Sequence, residues 1–172
     1  MSLVEEFEQS ARAAAATVER VPRTPEQIAA AVARIVPGGP LAVADPVCLP
    51  SLLFDACRRL PGVFSERTRQ AMDRCMVGIT DAFAGVARTG SVCIAVDHQD
   101  CGAISLLSRF HVAVLPAEHI VERPGDLFRA DRLKGEGLRR NFVFITGPSA
   151  TADMGPLVRG VHGPHRLHII VV

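Results

Sequence analysis

The stretch Thr146-Gly147-Pro148-Ser149-Ala150-Thr151-Ala152-Asp153 gathers three hydroxyls, a glycine and a carboxylate directly after the apolar run Phe142 to Ile145. If that run is a strand and Ser149 or Thr151 caps a helix turn behind it, free backbone N–H groups and hydroxyls converge. That is the chemistry of an anion cradle. An ordinary Ser/Thr cap after a strand explains the same residues without a ligand. The loop is not a Walker A motif, because it has no Gly-Lys-Ser/Thr ending, nor is it a dinucleotide fingerprint. Further on, Gly160-Val161-His162-Gly163-Pro164 sets an imidazole in a glycine-flanked loop. There it can serve as acid, base or hydrogen-bond donor, or simply bond to backbone. Asp153 and His162 are the candidate catalytic groups. Ser149, His162 and Asp153 can be assembled into a nucleophile set, but no Gly-x-Ser-x-Gly elbow is present, and only mutual placement can establish one.

The histidines are His98, His111, His119, His162, His165 and His168. The spacing of His162, His165 and His168 matches no standard zinc pattern, and a strand beginning after Pro164 would turn these side chains apart. No metal site is assigned. The cysteines Cys48, Cys57, Cys75, Cys93 and Cys101 are odd in number and never paired as Cys-x-x-Cys, which suits reduced core thiols of a cytosolic protein. Cys101 beside Gly102 is the thiol best placed to be a nucleophile, although nothing in the sequence lowers its pKa.

In open α/β sheets ligands bind outside the carboxyl ends of strands. Four segments are expected at such ends: Thr80-Asp81, Arg88-Thr89-Gly90, Thr146 to Asp153, and His162-Gly163-Pro164. They supply the candidate ligand-binding residues Thr80, Asp81, Arg88, Thr89, Gly90, Thr146, Gly147, Ser149, Thr151 and Gly163.

The elements that must position them follow from caps, breakers and apolar runs. A helix is predicted over residues 2–20, capped by Ser2 with Glu5 and ended by Val21-Pro22. A second starts at Thr24-Pro25-Glu26-Gln27 and buries Ile28, Ala31, Val32 and Ile35. Pro37-Gly38-Gly39-Pro40 stops it. Leu41 to Ala44 reads as a strand, and Asp45-Pro46 as the cap of a helix reaching about Leu60. A short helix is expected near Ser65 to Cys75. Met76 to Thr80 reads as a strand with Asp81 at its end, and the second half of 84–96 as another. Ile104 to Leu107 reads as a helical turn, His111 to Leu115 as a strand, and Ala117 to Val121 as a short extended segment. A helix from Pro124 to about Arg132 precedes strands at Phe142 to Ile145 and Arg166 to Val172. Several of these strands are near-continuous apolar runs, the pattern of a mostly parallel sheet covered on both faces.

Composition narrows the function. The 172 residues are 48% apolar and 22% charged, as in one globular domain with a real core. Nineteen basic and eighteen acidic residues leave a net charge of +1, and there is no Trp or Tyr. Neither electrostatic attraction to nucleic acid nor an aromatic platform for bases is provided. The Ala11 to Ala16 region has an acidic approach and an arginine within it, unlike a secretory leader, and no run approaches the length needed to span a bilayer. A cytoplasmic protein is expected.

The same residues carry a family resemblance. Thr146 to Asp153, Gly160 to Pro164 and Leu167-His168-Ile169-Ile170 resemble the C-terminal signature of the LutC/YkgG group, the LUD-domain family of lactate-utilisation proteins. Gly78-Ile79-Thr80 with Ala87-Arg88-Thr89-Gly90-Ser91 resembles its central motif, and Leu106-Leu107-Ser108 with His111 to Pro116 the segment between. The resemblance covers about residues 76–172, with a looser match before. It implies a three-layer α/β/α, Rossmann-like domain of the NagB/RpiA/CoA-transferase-like type over residues 23–172, behind an N-terminal helix at 1–22. It also implies a function, since relatives accompany two iron–sulfur proteins in bacterial oxidation of L-lactate to pyruvate. The chain would be an accessory, or a binder of a small anionic metabolite, in 2-hydroxy-acid oxidation. Iron–sulfur oxidoreductase subunits would be its partners and hold the clusters, since the cysteines here are not grouped as cluster ligands; no cofactor is assigned to the chain itself.

Two positions depart from the family pattern. Arg88 stands where Ala-Glu-Thr-Gly has its glutamate, and Gly155 stands where a glutamate follows Ala-Asp-Ile, here Ala152-Asp153-Met154. Two negative charges become one positive. Arg88 beside Thr89-Gly90 suits a carboxylate or phosphate bidentately, or equally a salt bridge to Asp81 or Asp153. Two other functions stay open: an independent isomerase or acyl/CoA-handling enzyme, which fold analogy alone suggests, and a non-catalytic assembly protein. The N-terminal helix serves either its own core or a homo-oligomer contact.

Overall fold

The computed structural model describes residues 1–36, 38–96, 100–129, 141–153 and 155–172. The first helix, α1 (Leu3–Ala13), opens with the expected capping box: the Glu5 N–H donates to Ser2 Oγ at 3.2 Å, and the Ser2 N–H to Glu5 Oε2 at 2.7 Å. It stops far short of residue 20. Ala15 adopts φ 67°, reversing the chain into strand β1 (Thr17–Arg20). The expected long helix fails because Thr17 to Arg20 alternate in the strand manner. Val18 is buried and pairs with Ile169, and the Arg12 guanidinium donates to Val18 O at 3.0 Å. The N-terminal segment is thus built into the sheet.

Helix α2 (Pro25–Ile35) starts as predicted, with Thr24 Oγ1 accepting the Gln27 N–H and Pro25 in the first turn. Strand β2 (Leu41–Val43) follows. The helix expected from Asp45 to Leu60 is replaced by an irregular stretch, a 3-10 turn (Ser51–Phe54) and the short α3 (Asp55–Arg58). The cause is Asp81. Its carboxylate accepts the N–H groups of Val47, Cys48 and Leu49 at 2.7–3.0 Å, holding out of the helix the donors that its first turn would present. Helix α4 (Arg69–Asp73), capped by Thr68, leads into β3 (Val77–Asp81).

The apolar segment 84–96 folds as a hairpin of β4 (Ala84–Val86) and β5 (Ser91–Ala95), with Arg88-Thr89-Gly90 at its turn. Helix α5 (Cys101–Leu107) and β6 (Phe110–Leu115) follow, then a 3-10 turn (Ala117–His119) and β7 (Ile120–Val121) where an extended segment was expected. Helix α6 (Pro124–Arg129) opens as predicted; residues 130–132 of the expected helix, like Pro37 and His98, lie outside the described residues. Strand β8 (Phe142–Ile145) is in place. Behind it there is no helix turn but a small hairpin, β9 (Ala150–Thr151) with β10 (Val158–Arg159), before the last strand β11 (Arg166–Val171).

The central sheet is fully parallel, in the order β1-β11-β6-β3-β2. It is buried on both faces. One face packs on α2, the 3-10 turn and α3 through Ile28, Val32, Leu53 and Phe54. The other meets α1, α4, α5 and the second sheet through Phe7, Met72, Ile104 and Ile94. That second sheet, β7-β4-β5-β8, is mixed and closes against α6 through Leu127 and a tilted ring pair of Phe128 and Phe142, 6.1 Å between centroids. The architecture is mixed α/β, and the continuous apolar runs read from the sequence are the strands covered on two sides. Among the described residues, no helix is long and apolar enough to cross a membrane.

Candidate functional site

A cleft of about 450 Å³ opens between the two sheets. Its walls are Val143 to Ile145 of β8 with the following Thr146-Gly147-Pro148-Ser149, Gly102, Ser105 and Leu106 of α5, and the loop His162-Gly163-Pro164. Its floor is His111 and Leu167, near the amino-terminal ends of β6 and β11. Most of this lining is apolar. The polar groups are Ser105, His111, Thr146, Ser149 and His162, the common form of a small-molecule site.

The two signature loops are tied together by backbone. The Ser149 N–H donates to Pro164 O, and the Gly160 N–H to Ser149 O, both at 2.9 Å. Gly147 has φ 67°, and a Cβ there would lie 1.9 Å from Ala14 O, so only glycine lets the loop pass over the end of α1. Gly90 plays the same part in the β4–β5 turn, against the backbone of Ala11. A hydroxyl chain joins the turn to the cleft: Thr89 Oγ1 to Ser91 Oγ and Ser91 Oγ to Thr146 Oγ1, each 2.6 Å.

His111 is fully buried. Its Nε2 lies 2.9 Å from Thr80 Oγ1, while its Nδ1 has no hydrogen-bond partner among the described residues. Burial pushes its pKa down to about 4, so the ring is neutral at pH 7. A buried ring nitrogen without a partner is costly and calls for an explanation. Ser149 and His162 make no side-chain hydrogen bond among the described residues, so they too are open to a ligand. Ser105 Oγ is engaged with Gly102 O at 2.9 Å.

The sequence-predicted residues divide. Thr146, Gly147, Ser149, His162 and Gly163 meet in the cleft, and Thr80 stands behind it through His111. Asp81 is buried elsewhere, its carboxylate already engaged by three backbone N–H groups. Arg88, Thr89 and Gly90 form the hairpin turn. Arg88 is exposed, off the cleft wall, and forms no ion pair with Asp81 or Asp153. Asp153 is exposed beyond β9, with its N–H 3.5 Å from Thr151 Oγ1, and no bond joins it to His162 or Ser149. The expected helix turn of the anion cradle is absent, because Ala150 and Thr151 pair with Arg159 and Val158. The loop His162-Gly163-Pro164 lies at the amino end of β11, not at a carboxyl end as expected. Gly155 takes φ 118° at the turn of the β9–β10 hairpin, a conformation that glycine accepts readily.

His168 is bonded to Thr17 Oγ1 at 2.7 Å and Glu19 Oε1 at 3.1 Å, away from His162. Among the described residues, no cluster of His, Cys, Asp or Glu could hold a metal ion. The cysteines form no disulfide; burial pushes Cys57 to about 11 and Cys93 to about 12, while buried Cys101 donates toward Asp45 O at 3.5 Å. The sequence reading missed His111, Ser105 and Ser91. His111 carried a signal, since it is the one polar side chain within the apolar strand Phe110–Leu115.

Comparison with known proteins is consistent with this geometry. The LUD domain family model matches residues 57–172, which include every wall of the cleft. Lactate utilization protein C of Halalkalibacterium halodurans is 36% identical over 111 residues, covering 62% of this chain and 48% of that protein. Lactate utilization protein C of Deinococcus radiodurans is 37% identical over 107 residues, covering 59% and 48%. The chain thus spans about half the length of these curated relatives. A crystal structure of a DUF162 family protein from Deinococcus radiodurans superposes with a TM-score of 0.69 at 21% identity, covering 99% of this chain and 96% of the other, and so shares the fold. The chain belongs to the LUD-domain family.

Proposed function

We propose that this chain binds a small metabolite of the 2-hydroxy- or 2-oxo-acid class in the cleft, as an accessory to L-lactate-type oxidation. The observation that carries the reading is His111, a buried imidazole on the cleft floor with one ring nitrogen left without a partner. The relatives named lactate utilization protein C supply the metabolite class. The parallel sheet with helices on both faces supports placement in the Rossmann-like, NagB/RpiA/CoA-transferase-like group. Binding is favoured over catalysis because Asp153 and His162, the acid–base candidates, are not joined. Arg88 stays outside the proposed contact set for the same geometric reason.

The redox chemistry is placed on partner iron–sulfur subunits. The cysteines of this chain are dispersed through the core, and burial holds the Cys48, Cys57, Cys75 and Cys93 thiols in the protonated form, the opposite of what cluster ligation requires. Exposed Phe128, Phe144, Leu157 and Val161 offer apolar area for docking to such a partner or to a second copy. Free thiols suit a reducing, cytoplasmic setting.

A thermal-shift screen tests the reading. Lactate, pyruvate, sulfolactate, sugar phosphates, CoA and sulfate are compared on wild type and Ser149→Val. A ligand that binds only the folded state raises apparent stability by mass action. The expected result is a shift with lactate or pyruvate above that with sulfate, reduced in Ser149→Val. Equal shifts from every anion, unchanged in the variant, would count against it.

A further inference from the structure

We infer that His111 is held by Thr80 as the Nδ1–H tautomer, so that the floor of the cleft presents a hydrogen-bond donor and reads an acceptor oxygen, a carboxylate or carbonyl, on its ligand. This deepens the metabolite-binding reading and rests on the cleft being its site.

Hydrogen-bond accounting at Thr80 and His111 favours one tautomer. Thr80 is fully buried, and the only partner of its hydroxyl among the described residues is His111 Nε2 at 2.9 Å. A neutral imidazole carries one N–H and one lone pair. If Nε2 carried the proton and donated to Thr80, the Thr80 O–H would be left without an acceptor, and the Nδ1 lone pair would also be unmatched. Two buried groups would be orphaned. If Thr80 donates to Nε2, the hydroxyl proton is matched and only Nδ1–H remains open. Each arrangement leaves one buried donor open, but the first also strands the Nδ1 lone pair, and an unmatched buried acceptor costs enough to favour the second by about tenfold.

The arrangement is built by strand register. Gly78 and Thr80 lie on one face of β3, and Gly78 pairs with His111 of β6. Gly78 lets α5 close over this face, since a Cβ there would lie 2.3 Å from Ile104 O. The ring is fully buried and belongs to the lining of the cleft. The nearby polar groups add no competing charge: Ser105 is engaged with its own helix, and Ser149 and His162 stand at the cleft wall. A ligand oxygen placed at Nδ1–H would leave its apolar part against Leu106, Phe144 and Leu167. A group offering only donors there, such as an ammonium, would meet another donor and be rejected.

Nitrogen-15 NMR of the imidazoles in the labelled 172-residue chain tests this directly, because the two tautomers give opposite shift patterns at the two ring nitrogens. The expected spectrum at neutral pH, without added ligand, has His111 Nδ1 protonated and Nε2 bare. Titration with pyruvate or acetate should move the Nδ1–H signal, while propylammonium should not. Thr80→Ser should keep both the tautomer and the response. Thr80→Val should lose the tautomer preference and weaken pyruvate binding about tenfold. A protonated Nε2 in the unliganded wild type overturns the inference, as does a Nδ1–H signal that neither pyruvate nor acetate moves. If acetate moves it as strongly as lactate or pyruvate does, the donor stands and the 2-hydroxy/2-oxo-acid assignment falls.

Discussion

At the carboxyl end of β3, Asp81 is enclosed and its carboxylate accepts three backbone N–H groups from Val47, Cys48 and Leu49. Near the amino end of β6, His111 is equally enclosed, yet one ring nitrogen has no partner among the described residues. Both residues are buried and polar; the sequence offered Asp81 as a ligand-binding candidate at a strand end and His111 only as part of a strand. The difference lies in what completes them. Asp81 is completed by its own chain and so acts as architecture, pinning the β2–α3 connection. His111 keeps an open ring nitrogen on the cleft floor, which the proposed ligand would complete. A satisfied buried group marks structure and an unsatisfied one marks a site, wherever the strand ends happen to point.

The comparison breaks most easily at Asp81. In Asp81→Asn one acceptor oxygen becomes a donor facing backbone donors, and the cost should be about 4 kcal/mol of stability. Denaturant unfolding reads this, and ligand response at still-folded concentrations should be unchanged. Acid comes next. Burial lowers the His111 pKa from 6.5 to about 4. Between those values the unfolded chain binds the proton that the folded chain refuses, so stability is complete above pH 6.5 and falls toward pH 4. The loss approaches about 3 kcal/mol. His168, also lowered by burial, acts in the same direction. Unfolding midpoints across this range check the slope, which His111→Phe should reduce.

Gly147→Ala should cost about 2 kcal/mol, from the left-handed backbone and the contact with Ala14 O. It should also disturb the cleft wall, a combination Asp81→Asn does not produce. The smallest effect on stability sharpens the contrast. Ser149→Ala removes a hydroxyl with no partner among the described residues, so stability should change by less than about 0.5 kcal/mol while pyruvate affinity falls about fivefold. Calorimetric titration beside thermal unfolding separates the two quantities.

Much of the frame was legible because it rests on local chemistry. The Ser2–Glu5 box, the Thr24-Pro25 start and the apolar strands all carry signals within a few residues. What was lost depended on distant partners. Nothing near Thr17 announces that it will pair with His168, and nothing near Val47 announces Asp81. The cleft was half legible. Its loops stood out through glycine and hydroxyls, but their anion cradle required a helix that strand pairing of Ala150 and Thr151 displaced. The placement of His162 at the amino end of β11 could not be read without knowing that β8 belongs to a different sheet.

The central claim is that the cleft between the sheets, and not the carboxyl end of the parallel sheet, receives the metabolite. Amide chemical-shift mapping during titration with pyruvate tests it most directly. Binding in the cleft should perturb Ser105, Thr146, Gly147, Ser149 and Gly163 together, with the His111 ring moving alongside. Perturbations centred on Val47 to Leu49 and Asp81, with the cleft residues unmoved, would contradict it.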